Sequence, residues 1–224
     1  MNFYSGIFKE NFAGNRKFSN LVFKHQLFKI MKKTILSLVV LLSLTVGVNA
    51  QTTWNLDKVH SNVKFAVSHM VVSEVEGSFK MFDGNLVASK ADLSDAKVNF
   101  SVDVASVNTD NDRRDGHLKS DDFFNAEKFP KMTFVGKSMK PLGNNKYKLT
   151  GDLTIRDVTK TVDFDVTYGG QINTGRGIKA GFKAKATIDR LQFGLKYAPA
   201  LEAGGLAVGK DVDITVLVEM DQAK

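Results

Sequence analysis

The chain has 224 residues, no Cys, a formal net charge of +7 and a pI near 9.4. The lack of Cys excludes disulfides, zinc–thiolate sites and Cys nucleophiles, so stability must come from packing. Seven of the 31 basic residues but one of the 24 acidic ones fall in residues 1–50. Residues 51–224 therefore hold 24 basic against 23 acidic residues, a formal +1, which gives no argument for nucleic-acid binding.

Residues 1–30 are basic and rich in Phe, show no strong period, and read as a mis-called upstream extension, with Met31 the true initiator. Met31 to Gln51 reads as a complete secretory signal peptide. Lys32 and Lys33 give the positive start, Ile35 to Val46 the apolar run, and Val48-Asn49-Ala50 the cleavage site. The apolar run is shorter than the ~20 residues that span a bilayer, so no stable membrane insertion is expected. Cleavage between Ala50 and Gln51 would leave residues 51–224 as one domain in a periplasmic or secreted location.

Period-two alternation then dominates, the mark of half-buried strands. Val63, Phe65, Val67 and His69 share the apolar face of a first strand, and Val75, Gly77, Phe79 and Met81 that of a second. Phe82 breaks the parity and predicts a bulge before Asp83-Gly84. Six further strands center on Val98 to Val104, Thr133 to Val135, Tyr147 to Ile155, Val162 to Tyr168, Ala180 to Ile188, and Val212 to Val218. Turn residues separate them. Asn108 to Pro130 is helix-compatible, and Leu191 to Gly209 looks irregular. Eight alternating strands without crossover helices argue an all-β fold whose antiparallel sheet curls or closes. An eight-stranded barrel is wide enough for packed side chains or one small ligand, and a two-sheet sandwich fits the same alternation.

Eleven Phe lie in residues 51–224. They read as ordinary core or as the lining of an apolar pocket, and composition alone favors core. Gly77, Gly151 and Ala180, Ala184 and Ala186 on inward faces would leave volume for a ligand. His60, His69 and His117 match no metal-ligand spacing, so no metal site is expected. Ser61 beside His60 makes a poor nucleophile–base pair, because adjacent strand residues face opposite ways. No nucleophile elbow, phosphate loop or dinucleotide fingerprint occurs. The run Asp110, Asp112, Arg113, Arg114 and Asp115 reads as a solvated, self-paired helix face, or as a site where Arg114 and His117 meet a polar headgroup at a pocket mouth.

These residues, taken together, resemble the YceI family of lipocalin-like, polyisoprenoid-binding secreted proteins. The resemblance runs from about Trp54 to Glu219 and rests on ordered motifs: Trp54, His60-Ser61, Phe65, His69, Gly77-Ser78-Phe79, Thr109, Arg114-Asp115, His117-Leu118, Asp122-Phe123-Phe124, Phe129-Pro130, Leu153-Thr154-Ile155, Arg190 and Phe193-Gly194. Asp157 departs from it, standing where Gly is more usual. The resemblance implies an eight-stranded antiparallel lipocalin-like barrel with one or two short helices. It also implies a long apolar pocket, a bound isoprenoid lipid or quinone, no catalytic residue and no other cofactor. On parity, Phe65, Val67, His69, Phe79, Phe100, Phe134, Phe164 and Phe182 should line the pocket, closed by Phe193 and Tyr197, with Arg114 and His117 as headgroup candidates. The rivals are a His-dependent hydrolase or isomerase and a ligand-free, stress-protective barrel. A monomer and a homodimer are both open.

Overall fold

A computed structural model describes residues 28, 29, 32, 51–202 and 204–223. The chain divides into two units, residues 1–48 and 49–224. In the first, Phe28, Lys29 and Lys32 are helical; the expected signal peptide and upstream extension otherwise lie outside the described residues.

The second unit is built from β1 (Thr52–His69), β2 (Ser73–Phe79), β3 (Phe82–Ala88), β4 (Lys97–Asp103), β5 (Val107–Asn108), α1 (Asp112–Lys119), β6 (Lys131–Gly143), β7 (Lys146–Ile155), β8 (Val158–Asn173), β9 (Ile178–Asp189) and β10 (Val208–Gln222). Every pairing is antiparallel, and β10 pairs with β1 to close the barrel. The ten strands make eight staves, because two staves are broken. One edge of β1 pairs with β2 at Val63 to His69 and with β3 at Thr52 to Asn55. On the next stave, β5 pairs with β2 and β4 with β3. The parity break therefore falls at Lys80-Met81, just before the predicted bulge, and Met81 points to solvent at 58% exposure. The corner is stitched: Lys80 N donates to Ser106 O (3.1 Å), Met81 N to Ser106 Oγ (2.9 Å), and Asp103 N to Met81 O (2.9 Å).

β6 extends far beyond the Thr133–Val135 core expected from sequence. A bulge between Gly136 and Ser138 changes its parity, so Phe134 and Met139 both turn inward although they are an odd number of residues apart. Local alternation hides such a strand, because the pattern restarts halfway.

The first long connection carries α1. Asn111 caps it, its Oδ1 accepting from Arg114 N (3.0 Å), with Asp112 and Asp115 in the first turn and His117 and Lys119 in the last. The acidic–basic run is not the self-paired face expected. Asp115 is buried, and its Oδ1 accepts from Thr109 N (2.9 Å) and Thr109 Oγ1 (2.6 Å). Arg114 donates from Nε to Thr109 Oγ1 (2.8 Å) and from Nη2 to Thr109 O (2.7 Å). The second connection opens with a 3-10 turn, Arg190–Phe193, ended by Gly194 in the left-handed region at φ 78°.

Candidate functional site: an apolar cavity inside the barrel

A closed barrel must turn each strand's apolar face inward. The interior is not filled. A cavity of about 330 Å³ lies toward the α1 end, and a smaller one of about 110 Å³ lies among β3, β4 and β6 to β10. Phe100, Phe134, Phe164 and Val216 border both. Phe134 and Phe164 meet edge to face at 5.1 Å, so the boundary is an aromatic waist.

The wall of the larger cavity includes Phe65, Val67 and His69 from β1, Phe79 from β2, and Phe100, Phe134 and Phe164 from β4, β6 and β8. Arg114 and His117 reach it from α1, and Tyr197 from the second long connection. Phe182 lines the smaller cavity instead. Phe193, expected to close the pocket, borders neither cavity: it sits in the 3-10 turn and is 2% exposed in the core. Leu195, two residues on, stands on the cavity wall.

Inward glycines act differently from the expectation that they leave empty volume. Phe65 lies over Gly77, Phe100 over Gly84 and Phe134 over Gly151, so close that a Cβ on any of the three glycines would overlap the ring. The rings lean back on bare backbone rather than into the lumen. The width of the cavity thus depends on three Phe–Gly pairs.

Two arginines escaped sequence reasoning as parts of this architecture. Arg190 is 3% exposed. It donates from Nε to Gly209 O (2.7 Å), from Nη1 to Leu195 O (2.8 Å) and from Nη2 to Val208 O (2.7 Å), strapping the irregular connection to the barrel. Burial pushes its guanidinium below the ordinary value. Arg156 sits in the β7–β8 turn at φ 56° and donates from Nη1 to Asp121 O (2.9 Å), Phe123 O (3.0 Å) and Gly194 O (3.1 Å). It ties both long connections together, and the left-handed residue of this turn is Arg156 rather than Asp157. At the same end His117, Phe123 and Tyr197 pack ring against ring, with His117 4.8 Å from Tyr197, and His117 Nε2 is 2.8 Å from Asp122 Oδ2.

The three histidines do not share a site. His69 and His117 border the larger cavity, while His60 sits on a bulge of β1 with its Nδ1 2.9 Å from Asp57 Oδ2. Ser61 makes no bond to His60; its Oγ donates to Asp57 O (2.6 Å) and accepts from Glu219 N (3.1 Å). Ligand atoms of Asp57, His60 and Glu219 lie within 4.8 Å of one another, a spacing fit for a cation. That role is already taken by Lys179, whose Nζ is 2.8 Å from both Asp57 Oδ2 and Glu219 Oε1.

An antiparallel eight-stave barrel around an apolar cavity is the architecture of a lipocalin-like protein. Residues 54–220 match the model of the YceI-like domain, and the chain belongs to that family. It is 39% identical over 170 residues to a UPF0312 protein of Staphylococcus epidermidis and 38% to one of Staphylococcus aureus, covering 75% of this chain and 96% of each relative. Among solved structures it resembles BcnA of Burkholderia cenocepacia, with a TM-score of 0.65 and 26% identity over 73% of this chain and 98% of the other. It also resembles the YceI protein of Campylobacter jejuni, with a TM-score of 0.59 and 32% identity over 75% and 97%. A polyisoprenoid-binding domain from Saccharophagus degradans shares the fold at 16% identity, with a TM-score of 0.56 over 76% and 98%.

Proposed function

We propose that this protein binds and sequesters, or carries, an isoprenoid or similar long-chain amphiphile outside the cytoplasm. The observation that carries the reading is the cavity of about 330 Å³ inside a barrel whose wall is mostly aliphatic and aromatic. The polyisoprenoid binding ascribed to the Saccharophagus domain of the same fold points the same way. Apolar side chains replace water around the tail. Burial is worth roughly 0.8 kcal/mol per CH₂, so one five-carbon isoprene unit gains about 3–4 kcal/mol before ordering costs. No covalent step is required, and no residue is assigned a catalytic role.

Titration of delipidated protein with a quinone or a polyprenol tests the reading: saturable uptake supports it, and none refutes it. Replacing Phe100, which borders both cavities, by Asp abolishes uptake, because an unpaired carboxylate disfavors an apolar tail. Circular dichroism separates this loss from unfolding, and Phe100→Ala is the milder control. Export rests on the signal-peptide pattern of Lys32 and Lys33, the apolar run Ile35 to Val46 and the Val48-Asn49-Ala50 cleavage motif. N-terminal sequencing of protein from the cell envelope or medium should begin at Gln51; residues 1–30 on that material contradict export by this signal.

A further inference from the structure

The β1–β2 turn is built against its own backbone preferences. Met70 and Val71 lie in the left-handed region, at φ 52° and 63°. Two such residues in a row favor Asn-Gly, and a β-branched residue there is an outlier that costs stability. Burial does not account for them: Met70, Val71 and Val72 are 44%, 65% and 87% exposed. The turn is nonetheless held firmly. Val72 N donates to His69 O (3.3 Å) and Met70 N to Ala207 O (2.9 Å), while Ala207 N donates to Pro199 O (2.9 Å). The second long connection therefore sets exposed Pro199 and Ala200 beside the turn. The turn also begins where the larger cavity ends. His69 precedes it, and His69, its ladder partner Val208 and Val75 of β2 line that cavity, whereas the three turn residues do not.

We propose that the strained, exposed Met70-Val71-Val72 turn at the rim of the cavity is a docking tip that inserts into the surface of a lipid bilayer. It rests on the lipid-binding reading above for its purpose, because it brings the cavity's rim against the layer that holds lipid tails. A second copy of the chain is the poorer occupant. A stable protein interface buries about 800 Å² per partner and carries about ten hydrogen bonds, and three apolar side chains at a turn offer neither. A bilayer asks for no complementary shape, only for apolar groups that project into it. Charge is not the driving force. The charged residues that follow the turn are Glu74 and Glu76, and the segment from Pro199 to Ala207 carries only Glu202, so anionic lipid is not required. The three side chains hold fewer carbons than a myristoyl chain, whose own membrane binding is marginal and reversible. The contact is therefore transient, suited to exchanging cargo rather than to anchoring.

The test places an indole at the tip. Val72→Trp protein is mixed with vesicles of phosphatidylcholine brominated in its acyl chains, and Val59→Trp protein, altered at a comparably exposed valine on the β1 bulge, is the control. Trp54 is buried and common to both. The bromines should quench the indole at position 72 and not the one at position 59. No quenching at position 72, or equal quenching at both, overturns the proposal. A second arm combines Met70→Asn with Val71→Gly, the pair this turn prefers. That protein should melt higher, yet its co-sedimentation with phosphatidylcholine vesicles should fall about tenfold, the worth of one buried valine side chain. Undiminished vesicle binding overturns the proposal, and so does a lower melting temperature, which would assign the two side chains to packing. A dimer seen without vesicles and lost in the double variant would assign the turn to a second copy, and overturns it too. Uptake of a polyprenol from detergent keeps the two readings apart. Uptake without vesicle contact sinks the docking tip alone, and if neither occurs both readings fall.

Discussion

At Gly84 a methyl group would stand 2.6 Å from Phe100 Cδ2 and 2.9 Å from Asn99 O. The ring borders both cavities, so Gly84→Ala, by pushing it inward, should narrow the lumen and weaken uptake of a polyprenol. It should also cost about 1–3 kcal/mol in a urea melt, as overpacking does. Truncating a ring acts in reverse. Phe134 is 8% exposed at the waist, and Phe134→Ala should cost about 3 kcal/mol, merge the two cavities and favor longer tails over shorter ones. Arg156 opposes two effects at one position. Glycine there would relieve about 1 kcal/mol of left-handed backbone strain, but it would strip three carbonyls, two of them part-buried, of a charged donor. The lost bonds should win, so Arg156→Gly is expected to lower stability by about 2 kcal/mol in the same melt; a gain would show that the strap carries no weight. None of these pairings was legible in the sequence. Phe100 and Gly84, or Arg156 and Gly194, meet only once the strands are in register, and no local spacing encodes a cross-strand contact.

At the scale of elements, β1 shows what alternation can and cannot reveal. Its C-terminal half, Val63 to His69, was legible because the period of two is unbroken there and one face is apolar. Its N-terminal half was not, because a bulge intervenes: Asp57 pairs with Glu219 but Asn62 with Leu217, so β1 spends extra residues and reverses parity. That a helix could lie between Asn108 and Pro130 was readable, whereas the buried role of Asp115 was not, since it depends on its carboxylate accepting from Thr109, ahead of the helix. The β1 bulge is held by charge. Lys179 meets Asp57, Glu219 and Asp221 at 2.8, 2.8 and 2.9 Å. The Lys179 ammonium, and then His60, holds the Asp57 carboxyl well below the usual carboxylate range, and the three carboxylates raise Lys179 above its own. A depressed carboxylate contributes stability that is complete above its unfolded value, 3.8, and fades as pH falls through the folded one. A raised amine contributes below 10.5 and fades as pH climbs through its folded value. Lys179→Met should therefore lower Tm throughout the range between those limits, followed by fluorescence of the single, buried Trp54. The deficit should shrink in strong acid; a deficit that persists undiminished there would place the effect in packing rather than charge.

For the whole molecule, the eight staves were legible from alternation, while their closure was legible only from the family resemblance. Alternation fits a sandwich as well as a barrel, and the choice is made by the β1–β10 ladder, which joins pairs from His69 and Val208 to Trp54 and Gln222, near the two ends of the domain's sequence. The cavity likewise follows from closure: whether inward Phe residues meet or stand apart is decided by the glycines beneath them and by the two long connections over the α1 end. Those connections are joined to each other by Arg156 and to the barrel by Arg190, and they build the part of the wall where the cationic groups gather. If the interior is kept open for a lipid tail, protein purified from cells without added lipid should carry one, and mass spectrometry of its organic extract is the decisive measurement. The expected result is a stoichiometric amphiphile with a long apolar tail, depleted from Phe100→Asp protein that remains folded. A folded native protein whose extract contains no such molecule, and which takes up none after delipidation, would contradict it.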